Sequence, residues 1–510
     1  MSLNSKELAD NFLEIAELYK LGNLPTESAH PETISLSDWA KNDLTKAVSV
    51  LQKLDNHCLS TLTEKIARLK PLHLEIQNTF IQEGRVFLCG CGATGRLALT
   101  LERVYREDFD NDDRVISFMA GGDVALISSI EKFEDYEQWG HDQLMELGFT
   151  DNDLLIGSSE GGETPWVIGA IEKASLYSKR KPWFLYCNPD DILVETIERS
   201  KKIIKNNKIH KINLFCGEMA LAGSTRMQAS TILTLGIGLP LLNYHRPFEA
   251  IVDEFRLFSN DYKQMDLSFL IDFIKEESRI YTKDEYCHYQ CQSHLGITVL
   301  TDTTERSPTF SLPPFENQKD KIIIPSLCYF SFSHKKDNQE AWTYLLGRSP
   351  RTVEWEEIKD KSSGEKINGF EISSLCRSYR KKYLLQSESL FKITLLEDKH
   401  EIVLELNNLK FSIALPFKNN LFAHLYLKMT LNIQSTLVMG RLSRFENNIM
   451  TWVKSSNNKL IDRTARNVNI LLKQKGIDSS YEDIIYKIFI EKERLKIGEA
   501  LVLKVVDSYL

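Results

Sequence analysis

Five short apolar runs, each followed by a stretch with helical spacing, constrain the fold of this chain most strongly. They lie between residues 85 and 217 and read RVFLCG, RVISFMAGG, DLLIGSS, KPWFLYCN and KINLFCG. Apolar runs of this length at βαβ spacing are typical of buried parallel strands, because crossover helices cover such a sheet on both faces. We therefore predict a doubly wound parallel sheet whose loops gather at the carboxyl ends of the strands.

A second strand–helix series begins near residue 284 and runs to about residue 420. Its strand-like runs read GITVLTD, KIIIPSLCYFSF, FKITLLED and EIVLELN, and the last two predict a hairpin across EDKHE. A chain of this length exceeds one ordinary core. We predict an α/β protein with two tandem doubly wound parallel-sheet domains, at residues 76–255 and 256–455. Helical segments are expected at residues 1–75 and 456–510, where the apolar residues recur at helical spacing.

Composition excludes several classes of function. The 510 residues carry a formal net charge of -8 and no concentrated Lys/Arg run, so nucleic acid is not an expected partner. No apolar run approaches the roughly 20 residues that span a bilayer, and the N-terminal stretch has the pattern of a charged amphipathic helix. The nine cysteines are scattered without paired CxxC motifs, which indicates reduced thiols. These features predict a cytoplasmic protein without membrane association.

Three loops of the first domain are rich in glycine and hydroxyl residues, and each lies between a predicted strand and a predicted helix. They read GCGATGR from residue 90, GSSEGGETP from residue 157 and GEMALAGSTRM from residue 217. Glycines let the backbone approach a ligand closely, while hydroxyls and the N–H groups of helix N-termini donate to an anion. Because the loops should meet at one edge of the sheet, we predict a pocket for a phosphate group.

The first loop has two other interpretations. It matches the G-x-G-x-x-G fingerprint of dinucleotide-binding proteins, but Asp123 follows the second strand later than the ribose-binding acid of that fingerprint. It also suits a tight strand–helix turn without a ligand. Elsewhere, Cys287, His288 and Cys291 have a spacing that admits a metal, but no fourth ligand is apparent. We expect neither a metal nor an organic cofactor.

Five motifs occur in the order GCGATGRLAL, MAGGDVALISSIEKFED, GETPWVIGAIEKA, YCNPDD and GEMALAGSTRM. They resemble the motifs of the sugar isomerase (SIS) domain family, most closely the branch of N-acetylmuramic acid 6-phosphate etherase and the glucokinase regulatory protein. The resemblance continues in CQSHLGITVLTDTTERSPTF and in the stretch from LKMTLNIQS to NKLIDRTAR, so it covers roughly residues 80–470. The etherase typically has one domain and dimerises, whereas the regulatory protein places two SIS domains in one chain. The resemblance therefore implies a sugar phosphate ligand and an intramolecular pseudo-dimer.

The resemblance also implies which residues contact the ligand. In the middle loop, the approximate etherase pattern A-S-G-R-T-P becomes EGGETP, so Ser159 is expected to supply the hydroxyl, while Glu160 and Glu163 point away from the phosphate or meet sugar hydroxyls. The second domain lacks the phosphate-binding loops of the first. The sequences YQCQSHLG and ALPFKNN stand where its glycine loop and its G-S-T-R loop would be. We therefore expect one phosphate site. Its implied binding residues are Gly92, Ala93, Thr94, Gly95, Arg96, Ser158, Ser159, Gly161, Thr164, Ser224, Thr225, Arg226 and Lys459.

Etherase chemistry needs one group that accepts the C2 proton and another that protonates the leaving ether oxygen. Glu134 matches a glutamate of the family's E-x-x-E-D stretch. The other family glutamate is missing from the first domain, where Glu102 has the wrong offset, and Glu305 in TDTTERSPTF supplies it from the second domain. Lys459 in SSNNKL matches a family lysine that reaches the bound sugar phosphate. Three histidines lack a partner in the sequence and are expected to be structural or exposed: His141, His294 and His424.

Three functions remain open at this point. The first is a lyase resembling the etherase, which cleaves the lactyl ether of N-acetylmuramic acid 6-phosphate or a related amino-sugar phosphate by elimination and hydration. The second is a non-catalytic regulator that binds fructose phosphates and uses its helical ends to hold a sugar kinase. The third, a sugar phosphate isomerase, belongs to another branch of the family. Retention of both acids favours the lyase, whereas the altered middle loop and the two-domain length favour the regulator.

Overall fold

A computed structural model describes residues 4–130, 133–496 and 498–510, so the first three residues of the predicted N-terminal segment lie outside it. The N-terminal segment is helical, as its apolar spacing predicts. Its helices are α1 (Ser5–Ile15), α2 (Leu36–Asn42), α3 (Leu44–Lys65) and α4 (Lys70–Ile81). Asn4 and Glu7 form a reciprocal capping box at the start of α1, which satisfies two backbone N–H groups there.

The first sheet contains the five predicted strands. Its strands are β1 (Val86–Gly90), β2 (Val115–Met119), β3 (Leu154–Ser159), β4 (Trp183–Tyr186) and β5 (His210–Asn213). The helices of this part are α5 (Ala93–Asp108), α6 (Glu137–Glu146), α7 (Pro165–Tyr177), α8 (Asp190–Thr196), α9 (Glu198–Lys205), α10 (Gln228–Leu242), α11 (Phe248–Gln264) and α12 (Leu270–Thr282). All strand pairs are parallel in the order β2-β1-β3-β4-β5. The chain order therefore reverses between β1 and β3, which is where such sheets bind ligands.

Alternate residues of β1 enter two different cores, which confirms the doubly wound arrangement. Val86 and Leu88 lie in a core with α3, α4 and α10, whereas Phe87 and Cys89 lie in another with α6 and α7. The strand is buried along its whole length, because helices cover both of its faces.

The second sheet is mixed. Its strands are β6 (Tyr286–Cys291), β7 (Cys328–Ser331), β8 (Glu388–Leu396), β9 (Glu401–Leu406) and β10 (Leu409–Ala414). The order is β10-β9-β8-β6-β7, with parallel pairing among β7, β6 and β8 and antiparallel pairing from β8 to β10. The hairpin predicted across EDKHE is confirmed. It turns this half of the sheet antiparallel, because a short turn can only reverse the chain.

The prediction that GITVLTD is a strand is wrong, because this run opens the helix α13 (Gly296–Phe310). The strand of this region is the preceding segment β6. Thr303 and Thr304 donate to the carbonyls of Val299 and Leu300 at 2.9 and 2.8 Å, so their hydroxyls are satisfied within the helix. Threonine-rich runs favour strands by local preference, and tertiary packing overrides that preference here.

The rest of the second half is largely helical. It contains α14 (Asn338–Leu346), α15 (Lys359–Ser362), α16 (Gly364–Asn368), α17 (Cys376–Arg380), α18 (Asn420–Arg441), the short strands β11 (Phe445–Glu446) and β12 (Ile449–Met450), α19 (Asn458–Gln474), α20 (Tyr481–Glu493) and α21 (Leu501–Asp507). The helices α1, α19, α20 and α21 share a separate small core. None of the helices in the described ranges has the length and apolar character needed to cross a membrane.

The helices that flank the first sheet pack against those that flank the second. The contact is formed by α5 and α10 of the first half of the chain and by α13 and α18 of the second half. A buried ionic network ties the same two parts together. Glu102 of α5 accepts from Arg348 at 3.0 Å and from Arg351 at 2.8 Å, and Asp123 accepts from Arg348 at 2.6 Å. Burial opposes the ionisation of Glu102, but the two arginines outweigh it and lower its pKa to about 2. Glu102, whose position in the sequence does not match the family glutamate, therefore lies at the contact between the two halves of the chain.

Replacing Glu102 by glutamine is expected to lower the free energy of unfolding by about 3 kcal/mol, because the guanidinium groups of Arg348 and Arg351 lose the buried carboxylate that pairs with them. Urea denaturation followed by circular dichroism measures this change. Glu107→Gln on the exposed end of the same helix is the matched control, and we expect it to cost less than about 1 kcal/mol. Equal losses in the two variants would contradict the assigned role of the network.

Candidate functional site

The first loop, between β1 and α5, is a tight hydrogen-bonded turn with free space on its outer side. A Cβ atom on Gly90 would lie 2.4 Å from the Thr94 backbone, and Gly92 has φ 56°, so both positions require glycine. The Thr94 hydroxyl accepts from the Cys91 N–H at 2.9 Å and donates to the Cys91 carbonyl at 3.0 Å. A Cβ on Gly92 would meet nothing within 4 Å, so the outer face of the turn has room for a ligand.

The middle loop, between β3 and α7, is closed by hydroxyl contacts. Ser159 Oγ lies 2.9 Å from Thr164 Oγ1 and accepts from the Gly162 N–H at 3.0 Å. Asn188 donates to the Gly161 carbonyl at 2.9 Å. The Ser158 hydroxyl is buried and has no hydrogen-bond partner among the described residues. The loop therefore presents one unsatisfied hydroxyl beside a set of mutually satisfied ones.

The third loop, between β5 and α10, orients its arginine toward the second half of the chain. Ser224 and Thr225 remain on the loop, where the Ser224 N–H donates to the Leu221 carbonyl at 2.9 Å. Arg226 crosses to Asp302 of α13 at 3.2 Å and also donates to Ser435. Its Nε and Nη1 atoms are buried without partners among the described residues. Arg226 therefore lies at the contact with α13, and its side chain does not extend along the phosphate-binding loops.

The start of α19 lies over these loops. Lys459 donates to Glu163 of the middle loop at 2.6 Å, and Asn457 donates to Glu134 at 3.0 Å. Glu134 also accepts from the Cys91 thiol of the first loop at 3.4 Å. The structure therefore brings together three predicted features, namely the first loop, Glu134 and Lys459.

Ionic contacts with Glu163 and Glu27 hold α19 in this position. Glu163 accepts from Arg199 as well as from Lys459, and these cations outweigh burial and lower its pKa to about 2. Glu27 of the N-terminal segment accepts from Arg463 of α19 at 2.7 Å. Burial opposes the charge of Lys459, but Glu163, Glu27 and Glu134 outweigh it and raise the pKa of this lysine. The lysine is therefore a fixed positive charge at the loops.

Glu305 approaches the loops from the other side. It lies on α13, is only 6% exposed, and lines a cavity together with Ala93, Ser230 and Lys428. The cavity holds about 470 Å³ of space between atoms, including the part open to solvent. Burial raises the pKa of Glu305, although nearby cations oppose this. A carboxyl whose burial favours the protonated form is suited to take part in acid–base chemistry.

Several predicted contacts have other partners. Arg96 donates from Nη2 to the Leu126 carbonyl at 3.1 Å, and its Nε is buried without a partner in the part of the chain that the structure describes. Gly95 packs on Met119, so it shapes the turn. The expectation that Glu163 points away from the phosphate or meets sugar hydroxyls stays a prediction, and its carboxylate is engaged by Lys459 and Arg199. An acidic side chain can enter this loop since two cations neutralise it.

Sequence reasoning missed the contribution of Asn457 and the surroundings of Glu160. Asn457 is the N-cap of α19 and reaches Glu134, a contact across 323 positions of sequence that no local pattern reveals. Glu160 is the first residue after β3, is 8% exposed and accepts from Ser230 of α10 at 3.4 Å. Its place at the end of a buried strand was a usable signal for a site residue.

The dinucleotide and metal interpretations gain no support from the structure. Asp123 is occupied by Arg348, and His288 pairs with Ser331 at 2.7 Å and Glu388 at 3.3 Å. Cys287 and Cys291 are buried in β6. Within the described ranges there is no cluster of three or more His, Cys, Asp or Glu side chains that is suited to hold a metal ion.

His294 and His424 form a pair, which the sequence did not reveal. His294 Nδ1 lies 3.0 Å from His424 Nε2, and His424 Nδ1 lies 2.7 Å from the Thr298 hydroxyl. Burial lowers the pKa of His294 to about 4 and that of His424 well below its usual value. Two charged groups of α5 act in opposite directions on His294, since Glu107 raises its pKa and Arg103 lowers it. The pair is therefore neutral in the folded protein, consistent with the expected structural role.

Stability is expected to fall as the pH drops below about 6.5, because unfolding lets both histidines take up protons that the folded state refuses. The folded pKa values are depressed, so the loss begins near the unfolded pKa and continues down toward the folded one. The His294→Asn/His424→Gln variant should lose roughly 2 kcal/mol less than wild type between pH 6.5 and about 5.5. Urea titrations at each pH measure this, with exposed His57→Gln as the control, and parallel pH curves would contradict the assignment.

Comparisons with known proteins find relatives by sequence and by fold. Residues 70–175 match the family model of the glucokinase regulatory protein N-terminal SIS domain. N-acetylmuramic acid 6-phosphate etherase from Thermosynechococcus vestitus is 30% identical over 226 residues, which are 44% of this chain and 68% of that relative. The etherase from Synechococcus elongatus is 29% identical over 212 residues, which are 41% of this chain and 64% of that relative, so the match spans less than two thirds of its length. The C-terminal domain of glucosamine-fructose-6-phosphate aminotransferase from Francisella tularensis superimposes with a TM-score of 0.43 at 10% identity, covering 78% of this chain and 95% of that one.

Proposed function

Because the chain belongs to the SIS domain family, in the branch of N-acetylmuramic acid 6-phosphate etherase and the glucokinase regulatory protein, we propose that it binds and cleaves a sugar phosphate. The substrate is N-acetylmuramic acid 6-phosphate or a related amino-sugar phosphate with a lactyl ether. One observation carries this proposal, namely that two carboxyl groups flank the first loop. Glu134 accepts from Cys91 within the loop, and Glu305 lines the same cavity as Ala93 at its end.

The proposed reaction is an elimination followed by hydration. Glu134 takes the proton from C2, the ether oxygen leaves C3 as it is protonated, and water then adds to C3. Glu305 is the acid or the partner of the acid, and the roles of the two glutamates can be exchanged. Lys459 and the hydroxyls of the three loops hold the phosphate. Carboxyl groups are sufficient for these proton transfers, so the proposal requires no metal or organic cofactor.

The proposal includes the two halves of the chain as an intramolecular pseudo-dimer. Residues 76–255 and 256–455 form its two SIS domains, and the boundary falls within α11, so the connection is helical. The contacts of α5 with α13 and of α10 with α18 support this arrangement. Glu305 then reaches the site of the first domain as a residue of the partner subunit would in a dimer.

A second candidate function is a non-catalytic regulator that binds fructose phosphates and controls a sugar kinase. The matched family model and the altered middle loop favour it, because Glu163 there occupies the position of an etherase arginine and already engages Lys459. Bound phosphate must then share this lysine with a carboxylate. An isomerase is less well supported, since the sequence motifs belong to a different branch of the family.

One assay separates these candidates. The protein is incubated with N-acetylmuramic acid 6-phosphate, and released D-lactate is measured enzymatically. Binding of N-acetylglucosamine 6-phosphate and fructose 6-phosphate is measured by calorimetry in parallel. The lyase predicts lactate release, whereas the regulator predicts binding of fructose 6-phosphate without lactate. Absence of lactate at micromolar protein over hours, together with measurable binding, would overturn the lyase.

A further inference from the structure

The middle loop carries two glutamates three positions apart in opposite surroundings. Glu163 has two cations in direct contact, Lys459 and Arg199, and its pKa is lowered to about 2. Glu160 accepts from the Ser230 hydroxyl at 3.4 Å, and burial raises its pKa to about 7. A buried carboxyl whose surroundings favour its protonated form can donate a proton, whereas an ionised neighbour such as Glu163 cannot.

Charged groups from three helices act on Glu160. Lys459 of α19 favours its ionised form, but the lysine Nζ makes its hydrogen bond to Glu163. The carboxyl of Glu305 on α13 disfavours ionisation of Glu160. The guanidinium of Arg96 on α5 interacts electrostatically with both glutamates. The thiols of Cys91 and Cys187 are the other titratable neighbours, and both are neutral because burial raises their pKa values.

Glu160 also lies next to the cavity. Ser230, whose hydroxyl contacts Glu160, lines the cavity together with Glu305 and Ala93. A sugar bound in this cavity would lie near the Glu160 carboxyl, which could then act as a proton donor. Resemblance to the etherase does not assign this role, because the etherase pattern has alanine at the position of Glu160.

We propose that Glu160 is the proton donor to the departing ether oxygen, with Ser230 orienting its carboxyl and Glu305 as its buried partner. This inference rests on the proposed lyase function. As the C2–H bond breaks, Glu134 takes the proton and the electron pair forms the C2–C3 double bond. The C3–O bond breaks with its electron pair on the lactyl oxygen, which takes the proton of Glu160 and leaves as lactate. Water then gives hydroxide to C3 and a proton to Glu160, while Glu134 returns its proton to C2.

The test compares two leaving groups in wild type and Glu160→Gln. The first substrate is N-acetylmuramic acid 6-phosphate, and the second is its analogue with chlorine at C3, because chloride leaves without a proton. The variant is expected to lose lactate release by about 10²–10³-fold but to keep chloride release within about threefold of wild type. The pH profile supplies a second readout. The wild-type rate of lactate release should fall above about pH 7, whereas the residual rate of the variant should not.

Matched variants separate a chemical role from a structural one. Glu172→Gln on α7, outside the loops, should release lactate at the wild-type rate. Calorimetric binding of N-acetylglucosamine 6-phosphate by Glu160→Gln checks that the site still folds. Loss of chloride and lactate release together, or lactate release at the wild-type rate, would overturn the role of Glu160 while leaving the lyase function intact. A wild-type protein that binds N-acetylglucosamine 6-phosphate but releases neither product would overturn the lyase function itself, and this inference with it.

Discussion

Glu134→Gln is expected to lower lactate release from N-acetylmuramic acid 6-phosphate by about 10³-fold, because glutamine cannot accept the C2 proton. The amide still fills the space of the carboxyl, but the Cys91 thiol and the Asn457 amide lose the carboxylate that now accepts from them. The substrate KM should change little, since the phosphate is held by other groups. Initial rates of D-lactate release at several substrate concentrations measure both quantities.

Exchange of the C2 proton tests the same residue directly. In D₂O, wild type should introduce deuterium at C2 of N-acetylglucosamine 6-phosphate, as followed by NMR, and Glu134→Gln should not. Glu137→Gln, an exposed residue at the start of α6, is the control and should exchange at the wild-type rate. Exchange that persists in Glu134→Gln would reassign the base to Glu305.

Lys459→Met is expected to weaken the binding of N-acetylglucosamine 6-phosphate by about 10²–10³-fold, because the phosphate loses a charge-assisted hydrogen bond at a partly buried site. Methionine keeps the length and apolar stem of the side chain. Calorimetry with the phosphorylated and the unphosphorylated sugar measures the effect, which should be confined to the phosphorylated one. Lys473→Met, at the exposed end of the same helix, should bind as wild type does.

The variant also leaves Glu163 with one cation instead of two, so a structural explanation needs its own test. Glu163→Gln/Lys459→Met removes both members of the pair but also takes the carboxylate from Arg199, so it should unfold at a lower urea concentration than Lys459→Met alone. Its affinity for the phosphorylated sugar should stay low. Recovery of affinity in the double variant would show that the lysine positions α19 rather than contacting the phosphate.

Much of the first half could be predicted from local sequence. The five apolar runs marked all five strands of the first sheet, because a strand covered on both faces must be apolar along its length. The spacing of Gly90 and Gly92 marked a tight turn, since the steric demand of that turn is local. The secondary structure of the second half was harder to predict from local sequence. Thr298, Thr303 and Thr304 favour a strand by local preference and lie in a helix.

The site was predictable only where a residue carries its own signal. Glu134 and Lys459 were found through motif resemblance, and both lie at the loops. The neutral state of the pair between His294 and His424 depends on a contact across 130 positions, so the sequence could not show it. The same limit applies to Arg226, whose partner Asp302 belongs to the other half of the chain.

By itself, the sequence determined the glycine turns, the strands of the first sheet and the set of polar residues at its edge. Only the tertiary structure decided how charge is distributed among those residues. Glu160 and Glu163 are two glutamates of the same loop, and the local sequence does not distinguish them. In the structure, Lys459 and Arg199 contact Glu163, whereas Glu160 accepts from Ser230. The reason is physical: backbone geometry and hydrophobic spacing depend on near neighbours in the chain, whereas the pKa of a buried carboxyl depends on the cations that folding brings to it.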